Sequence, residues 1–411
     1  MAYVLLLLAM FVVSPVSLQM PRLVALCVVL ALVMVAWLMR DEKRIRAKIE
    51  LWAILYFAFM ALNAIVSTLN GNSGRDALSE LVPAGEVLAC FFLASRVEFD
   101  ATRAARWAFV ILVVALTRAL WQLILIFSGI PIIPPIYDVE HAFKAQETIG
   151  NFVYVRPIDP VVGIFVAIAF VFYVCDVHRR LAITVMAVSG AVSLLGLTRS
   201  EWIASVVCMI LTAAFVGGTA VRRWLTAAAV IAAAMVLLTM AVPDFNQFLA
   251  NRLFQYTQQQ IEDPSNELAE LRFLEIGTAV AKFSEAPILG HGLGSDFGTQ
   301  VWNGSFIEFV QFHNYYLNLL ANAGLAGLIA LLLVAYKSFR FGTALIRAAR
   351  DPVAKAISIC AIATLVWWAI FVTFQPIYST YHVTVLIGLF FGMALALQAP
   401  APDSQLSEEQ G

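Results

Sequence analysis

Apolar residues recur along this chain in runs of about 20, the helix length that crosses a bilayer core of about 30 Å, with short charged or Pro- and Gly-containing breaks between them. About twelve such runs stand out, at 2–19, 22–39, 51–69, 80–95, 107–129, 160–177, 181–197, 201–218, 224–242, 313–336, 353–373 and 380–398. The pattern predicts an all-α polytopic integral membrane protein. Residues 1–242 carry nine spans and an outer loop at 130–159, 243–312 form a long outer loop, and 313–398 carry three more spans. The polar tail 399–411 lacks the apolar content to fold.

The long loop has a pattern of its own. Asp263-Pro264 offers an N-cap followed by proline at the first helical position, and Phe273, Ile276, Val280 and Phe283 then recur at helical spacing. A helix lying over the membrane surface is expected there. Pro287-Ile-Leu-Gly-His-Gly-Leu-Gly294 follows as a turn leading back to the membrane.

Composition excludes a soluble globule: 62% of the residues are hydrophobic, 13% are charged, and the mean hydropathy is +0.86. A net charge of −1 gives no reason to expect nucleic acid. Lys and Arg gather in alternate loops, at Arg40 to Lys48, at Arg96 to Arg106, at Arg179 and Arg180, at Arg222 and Arg223, and from Lys337 to Lys355. Cations stay in the cytoplasm, so those loops and both termini are assigned inside, with 130–159 and 243–312 outside. Met1 to Leu18 has no positive n-region and no obvious cleavage site, so it reads as a retained span. Cys27, Cys90, Cys175, Cys208 and Cys360 all fall inside expected spans and read as packing residues. No internal repeat is visible, which weighs against repeat-built transporters.

Basic residues on the outer side need a partner. Arg156 lies in Tyr154-Val-Arg-Pro-Ile-Asp-Pro160, Arg199 in the hairpin Leu197-Thr-Arg-Ser-Glu-Trp202, and Arg272 in Arg272-Phe-Leu-Glu275, while His313 heads the stretch His313 to Leu328. In order, spacing and outer placement these segments, with Pro287 to Gly294, resemble the bacterial O-antigen ligase and polysaccharide polymerase family, most strongly over about 150–335. The resemblance implies a metal-independent glycosyltransferase of the inner membrane, with no cofactor. Its partners would be an undecaprenyl-diphosphate-linked glycan as donor and a second glycan or lipid A-core as acceptor, met at the periplasmic face among the membrane lipids. It also implies that Arg156, Arg199 and His313 are the functional residues. The proline after Arg156 departs from the glycine-containing stretch expected there.

Chemistry supports the same residues. An arginine fork supplies fixed positive charge matched to phosphate oxygens, and Arg199 sits between two spans near headgroup level. Its bland alternative is a snorkelling side chain paired with Glu201 or lipid phosphate. His313 is the candidate general base, against an interfacial histidine in an aromatic belt with Phe312, Tyr315 and Tyr316. His291 is its main rival. Arg156 could instead bridge to Asp159 or Glu147, and Arg272 could simply face water. Arg272, His291, Tyr315 and Glu201 complete the expected substrate contacts. Glu86 and Arg118 lie near mid-span, where a mutual ion pair is the simplest account, and Gly324 and Gly327 are expected to allow close helix packing. No zinc spacing, Walker loop or outer acidic pair for a nucleotide sugar is present. The acceptor separates polymerase from ligase. The absence of a dense basic cluster in the outer loops, which a phosphorylated lipid A-core would suit, tilts the reading to polymerase. A flippase for lipid-linked sugars would spread its polar residues along the spans instead.

Overall fold

The computed structural model describes residues 48–96, 100–128, 146–149, 152–155, 162–196, 199–241, 267–302, 305–308, 312–374 and 381–398. In chain order come α1 (Lys48–Leu69), α2 (Gly74–Arg96), α3 (Ala101–Ser128), β1 (Gln146–Ile149), β2 (Phe152–Val155), α4 (Val162–Val174), α5 (Arg179–Gly196), α6 (Arg199–Val216) and α7 (Gly218–Ala241). Then follow α8 (Glu267–Glu285), β3 (Thr299–Trp302), β4 (Ser305–Glu308), α9 (Tyr315–Ala348), α10 (Pro352–Phe371) and α11 (Tyr381–Ala396). Helices therefore occupy the expected stretches from 51–69 onward, whereas 2–19 and 22–39 lie outside the described residues, as does the Asp263-Pro264 cap.

Among the described residues five helices are long and apolar enough to cross a membrane: Leu51–Leu69, Gly74–Ser95, Ala101–Ile124, Tyr315–Ala348 and Pro352–Phe371. Shorter apolar helices run over Val162–Val174, Ser200–Val216 and Val383–Ala396. The two expected outer loops add small antiparallel hairpins to this helical body, with Ile149 opposite Phe152 and Trp302 opposite Ser305.

α4 is the axis of the bundle. All 13 of its residues are buried, in keeping with a helix that is apolar all round and carries no charged side chain. α5, α6 and α10 pack round it, and polar ties fix the layers: Trp367 Nε1 donates to Ser205 Oγ at 3.1 Å, and Ser205 Oγ to the Gly163 carbonyl at 2.8 Å. Such ties add to dispersion contacts, which carry helix association where lipid is as apolar as leucine. α10 starts at Asp351, whose carboxylate caps Val353 N and Ala354 N at 2.9 Å, with Pro352 in the first turn.

Close packing occurs at a different pair of glycines from the pair expected. A Cβ on Gly388 would stand 2.3 Å from the Val87 carbonyl oxygen, and one on Gly392 2.5 Å from that of Phe91, so α11 lies backbone to backbone against α2. Gly324 instead breaks α9. Glu86, buried on α2, accepts from Thr384 Oγ1 on α11 at 3.0 Å, a partner the sequence did not suggest.

Candidate active site

Gly324 has φ 63° and ψ −166°, a corner of conformational space open essentially to glycine, and it divides α9 into a half-helix from Tyr315 and a long rod to Ala348. A break strands backbone groups on both sides. The Pro287–Gly294 turn takes them up. His291 N donates to Ala321 O at 3.0 Å and Gly292 N to Asn322 O at 2.7 Å, while Leu325 N and Ala326 N donate to the Pro287 and Ile288 carbonyls at 2.9 and 3.1 Å. The fit leaves no room for side chains: a Cβ on Gly324 would meet Ile288 O at 2.3 Å, and one on Gly290 would meet Asn322 C at 2.3 Å. α1 holds the turn from beneath, Ser67 Oγ donating to Leu293 O at 2.6 Å and Asn63 Oδ1 accepting from Leu293 N at 2.8 Å.

At the other end of the half-helix Asn314 is the N-cap, its side chain accepting from Tyr316 N at 3.0 Å and Leu317 N at 3.2 Å. That cap fixes the residue before it, His313. α8 faces the same point: Ala279 on α8 packs with Phe297, Phe312 and Ala321, and the Phe297 and Phe312 rings stack at 4.6 Å. The α8 face towards the protein thus carries Glu275, 5% exposed, directly at His313.

The contact is short. His313 Nδ1 lies 2.6 Å from Glu275 Oε1, and His313 N donates to Glu275 Oε2 at 3.4 Å. An ionised carboxylate only accepts, so Nδ1 carries the proton in this pair, and in the neutral ring the lone pair falls on Nε2. The His313 side chain is 41% exposed, so an incoming hydroxyl can approach it. Arg272 Nη1 stands 3.7 Å from Glu275 Oε2, with its own side chain 48% exposed. A cation, a buried carboxylate and a half-open imidazole are thereby set in one row. Such a row can orient a base and hold an anion beside it.

The other expected residues are placed less centrally. His291 Nε2 donates to the Lys282 carbonyl at 2.9 Å and lies 3.5 Å from Glu285 Oε2, which ties the turn to the end of α8. Tyr315 is 3% exposed, its ring against Trp368 and its hydroxyl bonded to Tyr56, which puts it in the core beneath His313. Glu201 is buried where α4, α5 and α6 meet, against Gly163, and accepts from Ser193 Oγ at 3.2 Å. The backbone of Arg199 opens α6, and its side chain lies outside the described residues, as does Arg156 entirely.

Glu275 escaped the sequence reading as a site residue. Its spacing of three from Arg272 put both on neighbouring helix positions, but nothing local linked it to His313, 38 residues on. α8 also turns Phe273, Ile276 and Val280 outward, 72%, 45% and 51% exposed, as a helix lying against lipid would.

Residues 183–332 match the family model for O-antigen ligase. The match takes in Arg199, Glu201, Arg272, Glu275, His291, His313 and the break at Gly324, and it ends before Lys337. It supports a membrane protein that transfers glycans, with a lipid-linked donor and an acceptor met in the membrane. No curated protein matches the chain.

Proposed function

We propose that this protein is a metal-independent inverting glycosyltransferase that moves a glycan from undecaprenyl diphosphate onto a sugar hydroxyl at the periplasmic face of the inner membrane. The observation that carries the reading is the Arg272–Glu275–His313 row at the head of a broken helix. His313 Nε2 accepts the acceptor's hydroxyl proton as its oxygen attacks the anomeric carbon. The bond from that carbon to the diphosphate breaks on the opposite face, and undecaprenyl diphosphate leaves with the electron pair. Glu275 holds the ring and stabilises the imidazolium as it forms, in the way a buried carboxylate serves a histidine base.

Arg272, Arg199 and Arg156 hold the diphosphate charge, since guanidinium forks match phosphate oxygens and charge builds on the leaving group in the transition state. Glu201 lies two positions beyond Arg199 on α6 and steadies that corner. Polymerisation, with a second lipid-linked glycan as acceptor, is the first reading, because the outer loops lack a dense basic cluster for lipid A-core. Ligation to lipid A-core is the second, favoured by the description of the matching family.

The test is substitution with a check on insertion. His313→Ala and Arg199→Ala each abolish transfer while the protein remains inserted and folded. Near wild-type turnover in either variant overturns that residue's role.

A further inference from the structure

A second polar centre lies inside the bundle, in none of the roles assigned above. Glu80, on α2 within a candidate membrane span, is 2% exposed. Its carboxylate accepts from Asn322 Nδ2 at 2.9 Å on both oxygens, from Asn318 Nδ2 at 3.4 Å, and from the backbone N–H of Gly294. Every one of these partners is a donor, and they come from the two segments that meet at the site. Asn318 and Asn322 lie one turn apart on the half-helix of α9, and Gly294 ends the turn docked against its break. Asn322 gives its amide protons to Glu80 and leaves its own buried Oδ1 without a partner among the described residues. A carboxylate in a membrane span is costly, and one retained at such a junction calls for a reason.

The connection onward is short. Asn318 Oδ1 accepts from the backbone N–H of Phe312 at 3.4 Å, so the side chain that gives its amide protons to Glu80 also grips the residue before His313. The Asn322 backbone carbonyl accepts from the N–H of Gly292. One acceptor group therefore fixes the half-helix, the turn and the backbone leading into the base.

We propose that Glu80 is a positioning residue for the transfer reaction, setting the half-helix of α9 and, through Asn318, the place of His313. The inference rests on the function proposed above. Glu80 does not touch substrate, so its loss reduces turnover rather than donor binding. Glu80→Met keeps the bulk and removes every acceptor, whereas Glu80→Gln keeps one acceptor oxygen and can donate to the open Asn322 Oδ1.

The experiment uses the full-length protein in lipid, with kcat and KM for the lipid-linked donor measured beside amide hydrogen exchange over 287–294 and 318–326. Misplacing a base by a fraction of an ångström to an ångström costs on the order of tenfold to a hundredfold in rate. Glu80→Met therefore lowers kcat by about tenfold or more with KM held within about threefold, and Glu80→Gln restores most of it. Exchange at Gly292 and Gly294 rises in Glu80→Met and returns towards wild type in Glu80→Gln. Wild-type kcat and exchange in Glu80→Met, or a raised KM at unchanged kcat, overturns the proposal. If Glu80→Met does not fold, Asn318→Leu removes the bonds to Phe312 and to Glu80 together while Asn322 and Gly294 still hold the Glu80 carboxylate, and wild-type kcat in that variant is likewise decisive against it. Absence of transfer by the wild-type protein would fell the proposed function, while the exchange measurements still judge the Glu80 junction.

Discussion

Replacing Gly324 by alanine tests whether the broken helix and the glycine turn are one built unit. The residue sits at φ 63°, ψ −166°, where any side chain costs about 1–3 kcal/mol. The added Cβ would also lie 2.3 Å from Ile288 O and 2.7 Å from Gly290 N, both backbone atoms, so the turn must withdraw. Four backbone hydrogen bonds join turn and break, and each contributes about 1 kcal/mol net. Losing half of them adds about 2 kcal/mol, for a total of about 3–5 kcal/mol. Hydrogen exchange in lipid reads the local effect: the amides of His291, Gly292, Leu325 and Ala326 lose protection by about 100-fold or more, since 1.4 kcal/mol corresponds to a factor of ten. Gly277→Ala is the control. A Cβ at Gly277 meets nothing within 4 Å, and alanine in a helix gains up to about 1 kcal/mol over glycine. Unchanged protection of those four amides in Gly324→Ala would refute the docking argument, because no other cause of their protection would have been touched.

Other substitutions separate the parts of the proposed site. Glu275→Gln keeps the shape but turns an acceptor-only group into one that can misalign the ring, and turnover falls by about tenfold to a hundredfold in a donor–acceptor assay, less than the 10²–10⁴ expected for His313→Ala. Arg272→Lys loses the paired donors while keeping the charge, so KM for the donor rises more than kcat falls. Transfer continues in the presence of EDTA, measured as product per time, because no step uses a metal. A cysteine placed at Ser284 is labelled by a membrane-impermeant thiol reagent applied from outside, whereas one at Arg347 is not; the reverse pattern would invert the assigned orientation.

Much of the helical body was legible because membrane spans write themselves as long apolar runs, and α1, α2 and α10 fall where those runs lie. α4 shows the limit of that signal: within the expected run 160–177 the helix ends at Val174 and 175–177 turn away, an end that a segment apolar on every side does not mark. Gly324 and Gly327 were read as packing residues from the small-residue spacing alone. Whether a glycine lets helices approach or lets the chain turn depends on the partner backbone, here Ile288 to Gly290, which local sequence does not contain. His313 stood out in the sequence because a histidine heads an apolar run after a long loop. Its partners were not, since Glu275 and the Asn318–Glu80 link join residues 38 and 238 positions apart.

The central claim is met most directly by giving the purified protein, in lipid, an undecaprenyl-diphosphate glycan with and without lipid A-core, and resolving the products by size for wild type and His313→Ala. The account predicts lengthened glycan from donor alone with the wild-type protein and none with the variant; product only when lipid A-core is added would select ligation within the same chemistry. No transfer to either acceptor from a confirmed native donor would contradict the account.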